Sequence, residues 1–244
     1  DTYMDARGRL TYEEDTAVGR ERLKEAVDFA RKFDGAAGGR LRALFNAAQV
    51  ETCSEPLLRA GKEAAAGMSA PIHTHAGGNL IEFQRIMDEY RKTPVRFLAD
   101  IGFLDERTLL GHVVFTTAHE WTRYPFGDDL RLLAERGATV GHCPYKYAKM
   151  AMTLRSFQRY LEAGVTLAPG TDTYPLYTVS ELGWASILAK VADGNYQAGL
   201  ARDVFNAATI GGCRFLARED LGRLAPGAPA DILLIGLDHP GAPV

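Results

Sequence analysis

Four residues able to bind a metal or move a proton, His75, His112, His142 and Asp172, follow one another at intervals of 37, 30 and 30 residues. About 30 residues is what one β-strand and its return helix occupy. Each of the four lies in or at the end of a short apolar segment: IHTHA from 72, TLLGHVVF from 108, ATVGHC from 138 and VTLAPGTD from 165. When parallel strands close into a barrel their ends converge on one face, so residues one unit apart become neighbours. A doubly wound sheet gives no such common point. Imidazole and carboxylate gathered in this way can hold a divalent metal that acidifies a water for hydrolysis.

The first segment carries a second histidine, His73, and alternation along a strand places it on the same face as His75. Alone, this pair is as well explained by two hydrogen-bonded histidines. The three later residues favour a metal.

The elements that must position these residues follow from periodicity. An amphipathic helix is predicted over 13–33, ended by the glycines and alanines of 35–39. A buried strand over 42–50 precedes a helix capped by Ser54 and running to 66. Strand 70–75, helix 80–90, a helical turn at 95–102, strand 108–115 and helix 127–136 continue the alternation. Strand 138–143, helix 154–163, strand 165–172 and helix 179–193 complete it. Short apolar strands alternating with amphipathic helices imply a parallel sheet with crossover helices.

Composition narrows the class. The 244 residues are 46% hydrophobic and 24% charged, with a net charge of −3, and no basic run offers a footprint for nucleic acid. No apolar run is long enough to span a bilayer, so no membrane partner is expected. Cys53, Cys143 and Cys213 are odd in number and widely spaced, which suits small core residues in a reducing, cytoplasmic setting. No G-x-G-x-x-G or G-x-x-x-x-G-K-[ST] follows any predicted strand.

The segments I72-H-T-H-A, L109-L-G-H-V, V140-G-H-C-P and L167-A-P-G-T-D, in this order, resemble the second half of an amidohydrolase-superfamily barrel. The branch of cytosine deaminase-like, chlorohydrolase-like and adenosine-analogue deaminases is the most similar. N206-A-A-T-I-G-G-C-R-F-L and G222-R-L-A-P-G-A-P-A-D-I-L-L-I resemble its closing helix and its return into a small β-sandwich. The resemblance implies a (β/α)8 TIM-barrel-type α/β fold, here incomplete, over 1–220, and the start of a C-terminal β-sandwich segment over 221–244.

The resemblance also implies one divalent transition metal, zinc or iron(II), bound by His75 and Asp172. Asp172 would take the proton of the metal's water, and His112 would stabilise the attacking oxygen or the tetrahedral centre. The implied reaction is hydrolysis of a non-peptide C–N bond, or of a C–halogen bond, in a heterocyclic or amide small molecule. The alternative is a catalytically silent or truncated homologue serving as a binding or structural module.

Two departures bear on these expectations. The family's first-strand H-x-H has no counterpart, because residues 1–69 contain no histidine. The chain therefore reads as a fragment lacking early barrel strands, whose open sheet edge could promote self-association into a homo-oligomer. The branch also carries a glutamate three residues after the fifth-strand histidine, as a proton shuttle, and here that position is Gly78. Glu82 matches a later helical glutamate of the family and otherwise reads as a solvated helix residue.

Substrate contacts are expected from His142, Trp121, Tyr145 and Glu120. His142 could equally support the pocket by hydrogen bonding, and Trp121 could equally be ordinary packing. Glu120 could supply an acid from the loop after the sixth strand. Tyr145, Lys146, Tyr147 and Lys149 are predicted to lie in a loop that sets specificity.

Overall fold

The computed structural model describes residues 2–4, 6–7 and 10–234. An antiparallel hairpin, β1 (Thr2–Met4) with β2 (Leu10–Tyr12), leads into helix α1 (Thr16–Phe33). Asp15 starts α1 by accepting from the amides of Ala17 and Val18, each at 3.0 Å. The chain then alternates through β3 (Phe45–Gln49), α2 (Glu55–Gly67), β4 (Ile72–Ala76), α3 (Leu80–Tyr90), α4 (Pro94–Asp100) and β5 (Thr108–His112). It continues through α5 (Asp129–Arg136), β6 (Thr139–His142), α6 (Pro144–Ala148), α7 (Phe157–Glu162), β7 (Thr166–Pro169), α8 (Thr178–Asp193) and α9 (Ala201–Asn206).

Strands β3 to β7 form one parallel sheet in sequence order. That order, with a helix between strands, corresponds to five of the eight strands of a TIM-type barrel. Ile72, Leu110, Val140 and Leu167 are buried, as are Leu58 of α2, Leu98 of α4, Leu133 of α5 and Phe157 of α7. Burying each such side chain contributes about 2 kcal/mol, so the packing of sheet against helices fixes the strand ends in place.

Local sequence chemistry sets the helix starts that follow the strands. Asn79 caps α3 by accepting from the Glu82 amide at 2.8 Å, and Ser156 caps α7 through the Arg159 amide at 3.0 Å. Ser54 occupies the cap position of α2, but its side chain makes no capping bond there; Pro56 presets the first turn instead.

Other expectations shift at their ends. β5 stops at His112 rather than 115, because His112 and Val113 take left-handed backbone, with φ of 82° and 45°. Past that point the Phe115 amide donates to Gly77 O at 2.8 Å, joining the two loops that leave β4 and β5. Residues 144–148 are helical, so Tyr145, Lys146 and Tyr147 sit on a short helix and not in a loop. The β1–β2 hairpin has no counterpart in the sequence reading.

The closing segment forms α9, a π-helical stretch over Ala207–Gly211 and a further turn over Gly212–Phe215. Residues 221–234 run as turns and irregular chain, with Leu224, Leu233 and Leu234 exposed. Residues 235–244 of the expected β-sandwich segment lie outside the described residues.

Candidate metal centre

The ends of β4, β5 and β7 supply His75, His112 and Asp172. In β4, Ile72, Thr74 and Ala76 are buried while His73 and His75 are half-buried, so both imidazoles share one face. The rings stand edge-on, with centroids 5.3 Å apart. His75 lies opposite Gly111 of β5, and Gly111 opposite Gly141 of β6. A Cβ at Gly111 would lie 2.6 Å from His75 Cδ2 and 3.0 Å from His73 Nε2. A residue with a side chain therefore cannot occupy position 111 without displacing the imidazoles.

His112 follows Gly111, and alternation would turn it toward Leu110's side of the sheet, into the helix layer. Its left-handed backbone returns the ring to the face of His75, with centroids 4.9 Å apart. Left-handed backbone at a residue with a side chain costs about 1–3 kcal/mol and persists where the surroundings enforce it. Asp172, beyond the end of β7, shares this feature with φ of 51°. Its Oδ2 lies 3.5 Å from His112 Nε2.

Two residues of the β6–α6 junction complete the cluster. Lys146 Nζ donates to Asp172 Oδ2 at 2.5 Å and lies 3.4 Å from His112 Nε2. Cys143 precedes α6, and its Sγ, with one ligand atom each of His112 and Asp172, falls in a group whose atoms all lie within 4.8 Å of one another. Cys143 is expected from sequence as a small core residue and Lys146 as part of a specificity loop, and neither is expected beside Asp172. A signal was available: in a barrel, every residue just past a strand end is a candidate for the site.

Electrostatics favours a metal-ready state. Burial lowers the His112 pKa, with the Lys146 and His75 charges acting in the same direction. Burial also lowers His75 and His73. Asp172 is pushed up by burial, but the Lys146 hydrogen bond and charge, with His112 and His75, outweigh this and hold the carboxyl below its ordinary value. Neutral imidazoles beside an ionised carboxylate are the protonation states that ligation needs. His112 Nδ1 is buried without a hydrogen-bond partner among the described residues, and the donor set already draws a cation, the Lys146 ammonium. The nitrogen and oxygen donors of this set fit a divalent transition metal such as zinc or iron(II), whereas burial pushes the Cys143 thiol up to about 12.

Glu82 is buried, not solvated. Its carboxylate accepts from the amides of Gly77 and Gly78, the latter at 2.8 Å, and thereby holds the loop after β4. Burial and the charge of Glu51 push its pKa up to about 8, against the pull of the backbone N–H groups it accepts from. A Cβ at Gly78 would lie 3.3 Å from Tyr147 Oη, 3.4 Å from Glu82 Oε2 and 3.4 Å from His112 Cδ2. The space a longer side chain at 78 would enter is bordered by these three groups. The Tyr147 hydroxyl also donates to Gly78 O at 2.8 Å.

The remaining candidates lie around this cluster rather than in it. His142 is buried against Phe157 of α7, with ring centroids 6.0 Å apart, and burial alone lowers its pKa to about 3. Tyr145 packs against Trp184 of α8, and its amide donates to the buried Glu181 at 3.0 Å. Glu120 and Trp121 lie on a 3-10 turn after β5, where exposed Glu120 faces Arg155 at 3.6 Å and half-exposed Trp121 packs on His119 and Phe115.

Comparison with known proteins accords with this arrangement. The model of the amidohydrolase family matches residues 3–244. The 5-methylthioadenosine/S-adenosylhomocysteine deaminase of Natronomonas pharaonis is 35% identical over 237 residues, covering 96% of this chain and 53% of its own. The 5′-deoxyadenosine deaminase of Methanosarcina acetivorans is 32% identical over 222 residues, covering 89% of this chain and 49% of its own.

Among solved structures, the zinc-bound adenosine deaminase of Xanthomonas campestris superposes with a TM-score of 0.73 at 25% identity, over 83% of this chain and 45% of that one. An atrazine chlorohydrolase variant of Arthrobacter aurescens, complexed with zinc and atraton, shares the fold with a TM-score of 0.76 at 23% identity, over 87% and 46%. The chain spans about half the length of the curated relatives it matches. It belongs to the amidohydrolase family, of which it carries the five barrel strands that bring His75, His112 and Asp172 together.

Proposed function

We propose that the protein to which this chain belongs is a metal-dependent hydrolase of a heterocyclic small molecule, with a 5′-modified adenosine as the first substrate class to test. The observation that carries the reading is the meeting of His75, His112 and Asp172 from three separate strand ends, with Asp172 ionised and the imidazoles neutral. His75 and Asp172 would hold one divalent metal, zinc or iron(II), with His112 and the Cys143 thiol grouped beside Asp172. When bound, the metal supplies an acidified water near neutral pH.

Asp172 accepts the proton of the attacking water and delivers it to the leaving nitrogen, while His112 donates to the oxygen that gains charge. Gly78 contributes no acid, so Asp172 carries the proton in both directions. A chloride leaves without being protonated, which keeps a chlorinated heterocycle as the second substrate class. His142, Tyr145, Trp121 and Glu120 are assigned to the walls and mouth of the substrate pocket. Residues 1–220 are assigned to the barrel and 221–244 to a β-sandwich segment. A cytoplasmic location accords with the three free cysteines, and no helix among the described residues is long and apolar enough to cross a membrane.

Full-length protein purified without chelator is expected to carry one divalent metal per chain and to release ammonia or chloride from these substrates. His75→Ala is expected to lose most of the metal. Metal-free wild-type protein, with no turnover across both substrate classes after zinc is supplied, would overturn the reading in favour of a silent homologue.

A further inference from the structure

Lys146 is a charged member of the cluster that the metal-dependent reading does not use. Its ammonium stands where a second cation has to be accommodated. Nζ is 2.5 Å from Asp172 Oδ2 and 3.4 Å from His112 Nε2, so it bridges the proposed metal ligand and the residue assigned to the attacking oxygen. Any group that hydrogen-bonds both Asp172 and His112, as the attacking water has to, competes for that point.

A divalent ion on Asp172 would lie within a few ångströms of Nζ. At such a separation like charges repel, and more strongly at a partly buried site than in water. One carboxylate does not neutralise both. The side chain has a way out: it is 32% exposed, on a four-carbon stem, and its own helix spans only Pro144–Ala148.

The pair also differs from an ordinary surface ion pair in its surroundings. His73, His75 and His112 crowd the same point, and His112 keeps a buried nitrogen without a partner among the described residues. A lysine that served only to anchor α6 would not need to reach past the helix to a carboxylate at the end of β7.

We propose that Lys146 is a resident counter-cation of the metal site, which holds Asp172 and His112 when metal is absent and competes with the metal for Asp172. The inference rests on the metal-dependent reading above. Loading then requires Lys146 to withdraw from Asp172. Metal affinity is set by that exchange as well as by the ligands.

The test uses full-length protein stripped of metal and titrated with zinc, and separately with cobalt(II), against a chromophoric chelator. Lys146→Met is expected to bind both metals about tenfold tighter than wild type and to lower the melting temperature of the metal-free protein only. Lys146→Gln, which keeps polarity without charge, should show the same direction. In an Asp172→Asn background the Lys146→Met change should alter affinity by less than about twofold, since the competed carboxylate is gone.

Equal or weaker metal binding by both Lys146 variants overturns the inference while leaving the metalloenzyme reading in place. Failure of wild type and variants alike to bind metal overturns both.

Discussion

The sheet carries two lysine–aspartate pairs, one at each end, and they are built for different purposes. At the amino-terminal end of β5, Lys62 Nζ meets Asp105 Oδ1 at 2.6 Å and Thr108 Oγ1 at 2.9 Å. Thr108 in turn donates to Phe103 O at 2.8 Å, and Asp105 accepts from the Arg107 amide at 3.0 Å. The polar partners there satisfy one another. At the carboxyl-terminal end, Lys146 and Asp172 stand beside half-buried histidines, an unpartnered His112 nitrogen and three non-glycine residues of left-handed backbone, His112, Val113 and Asp172. Satisfied hydrogen bonds hold a fold; unsatisfied donors and strained backbone are kept where a ligand or reaction uses them. Under the function proposed above, the same residue types would serve stability at one end of the sheet and chemistry at the other.

Exchanging the two aspartates for alanine sets the ends against each other most sharply. Asp172→Ala in the full-length protein is expected to reduce turnover at least ~100-fold and to release the metal. Asp105→Ala is expected to leave metal content unchanged and to cost about 1 kcal/mol, because Lys62 loses its charged partner at a partly solvated site. Metal analysis and thermal melts of both variants report the result. Equal effects on metal content would erase the division of labour.

Gly111→Ala comes next. The added methyl collides with His75, which can yield only by moving off its position opposite β5. Metal affinity is expected to fall about 10–100-fold, the range seen when the groups orienting a ligand are disturbed. A Gly111→Ala variant with wild-type affinity would mean that His75 does not need its present orientation.

The smallest effect separates the ends by pH. Glu82, near the site, has its pKa raised by burial to about 8, so the folded state holds its proton more tightly than the unfolded chain does. Its contribution is full below pH ~4.5 and is lost as pH rises through about 8. Asp105 has the opposite sign: burial pushes its pKa up, but Lys62 and the hydrogen bonds to Thr108 and Arg107 prevail and lower it. Its contribution is present above the unfolded value and is lost in acid. Glu82→Gln should therefore flatten the alkaline side of the melting-temperature profile, and Lys62→Met the acid side. A Glu82→Gln profile parallel to wild type between pH 5 and 8 would show that Glu82 is ionised throughout.

The residues that meet at the candidate site are legible in sequence because barrel periodicity is written in the chain. Intervals near 30 residues, with His75, His112 and Asp172 each at a strand end, required only the assumption that such ends converge. Glu82 was misread as solvated because helical periodicity shows which face of α3 packs but not that its first turn folds back under the glycine loop. Lys146 reads from sequence as a specificity-loop residue and not as a partner of Asp172 for a similar reason: its reach to Asp172 spans 26 residues of sequence, and lysine type alone does not distinguish an exposed cation from one drawn into a pocket.

The alternation of strands and helices, the family resemblance and the residue types suited to a metal are all legible in local pattern or residue chemistry. Which of those residues meet is a matter of packing. His112 reaches the site only because its backbone turns against strand alternation, His75 fits only because Gly111 lies opposite, and Lys146 becomes part of the centre only because α6 packs beside the end of β7. Those outcomes depend on register and on backbone conformation at strand ends, which long-range packing imposes and short-range pattern does not encode.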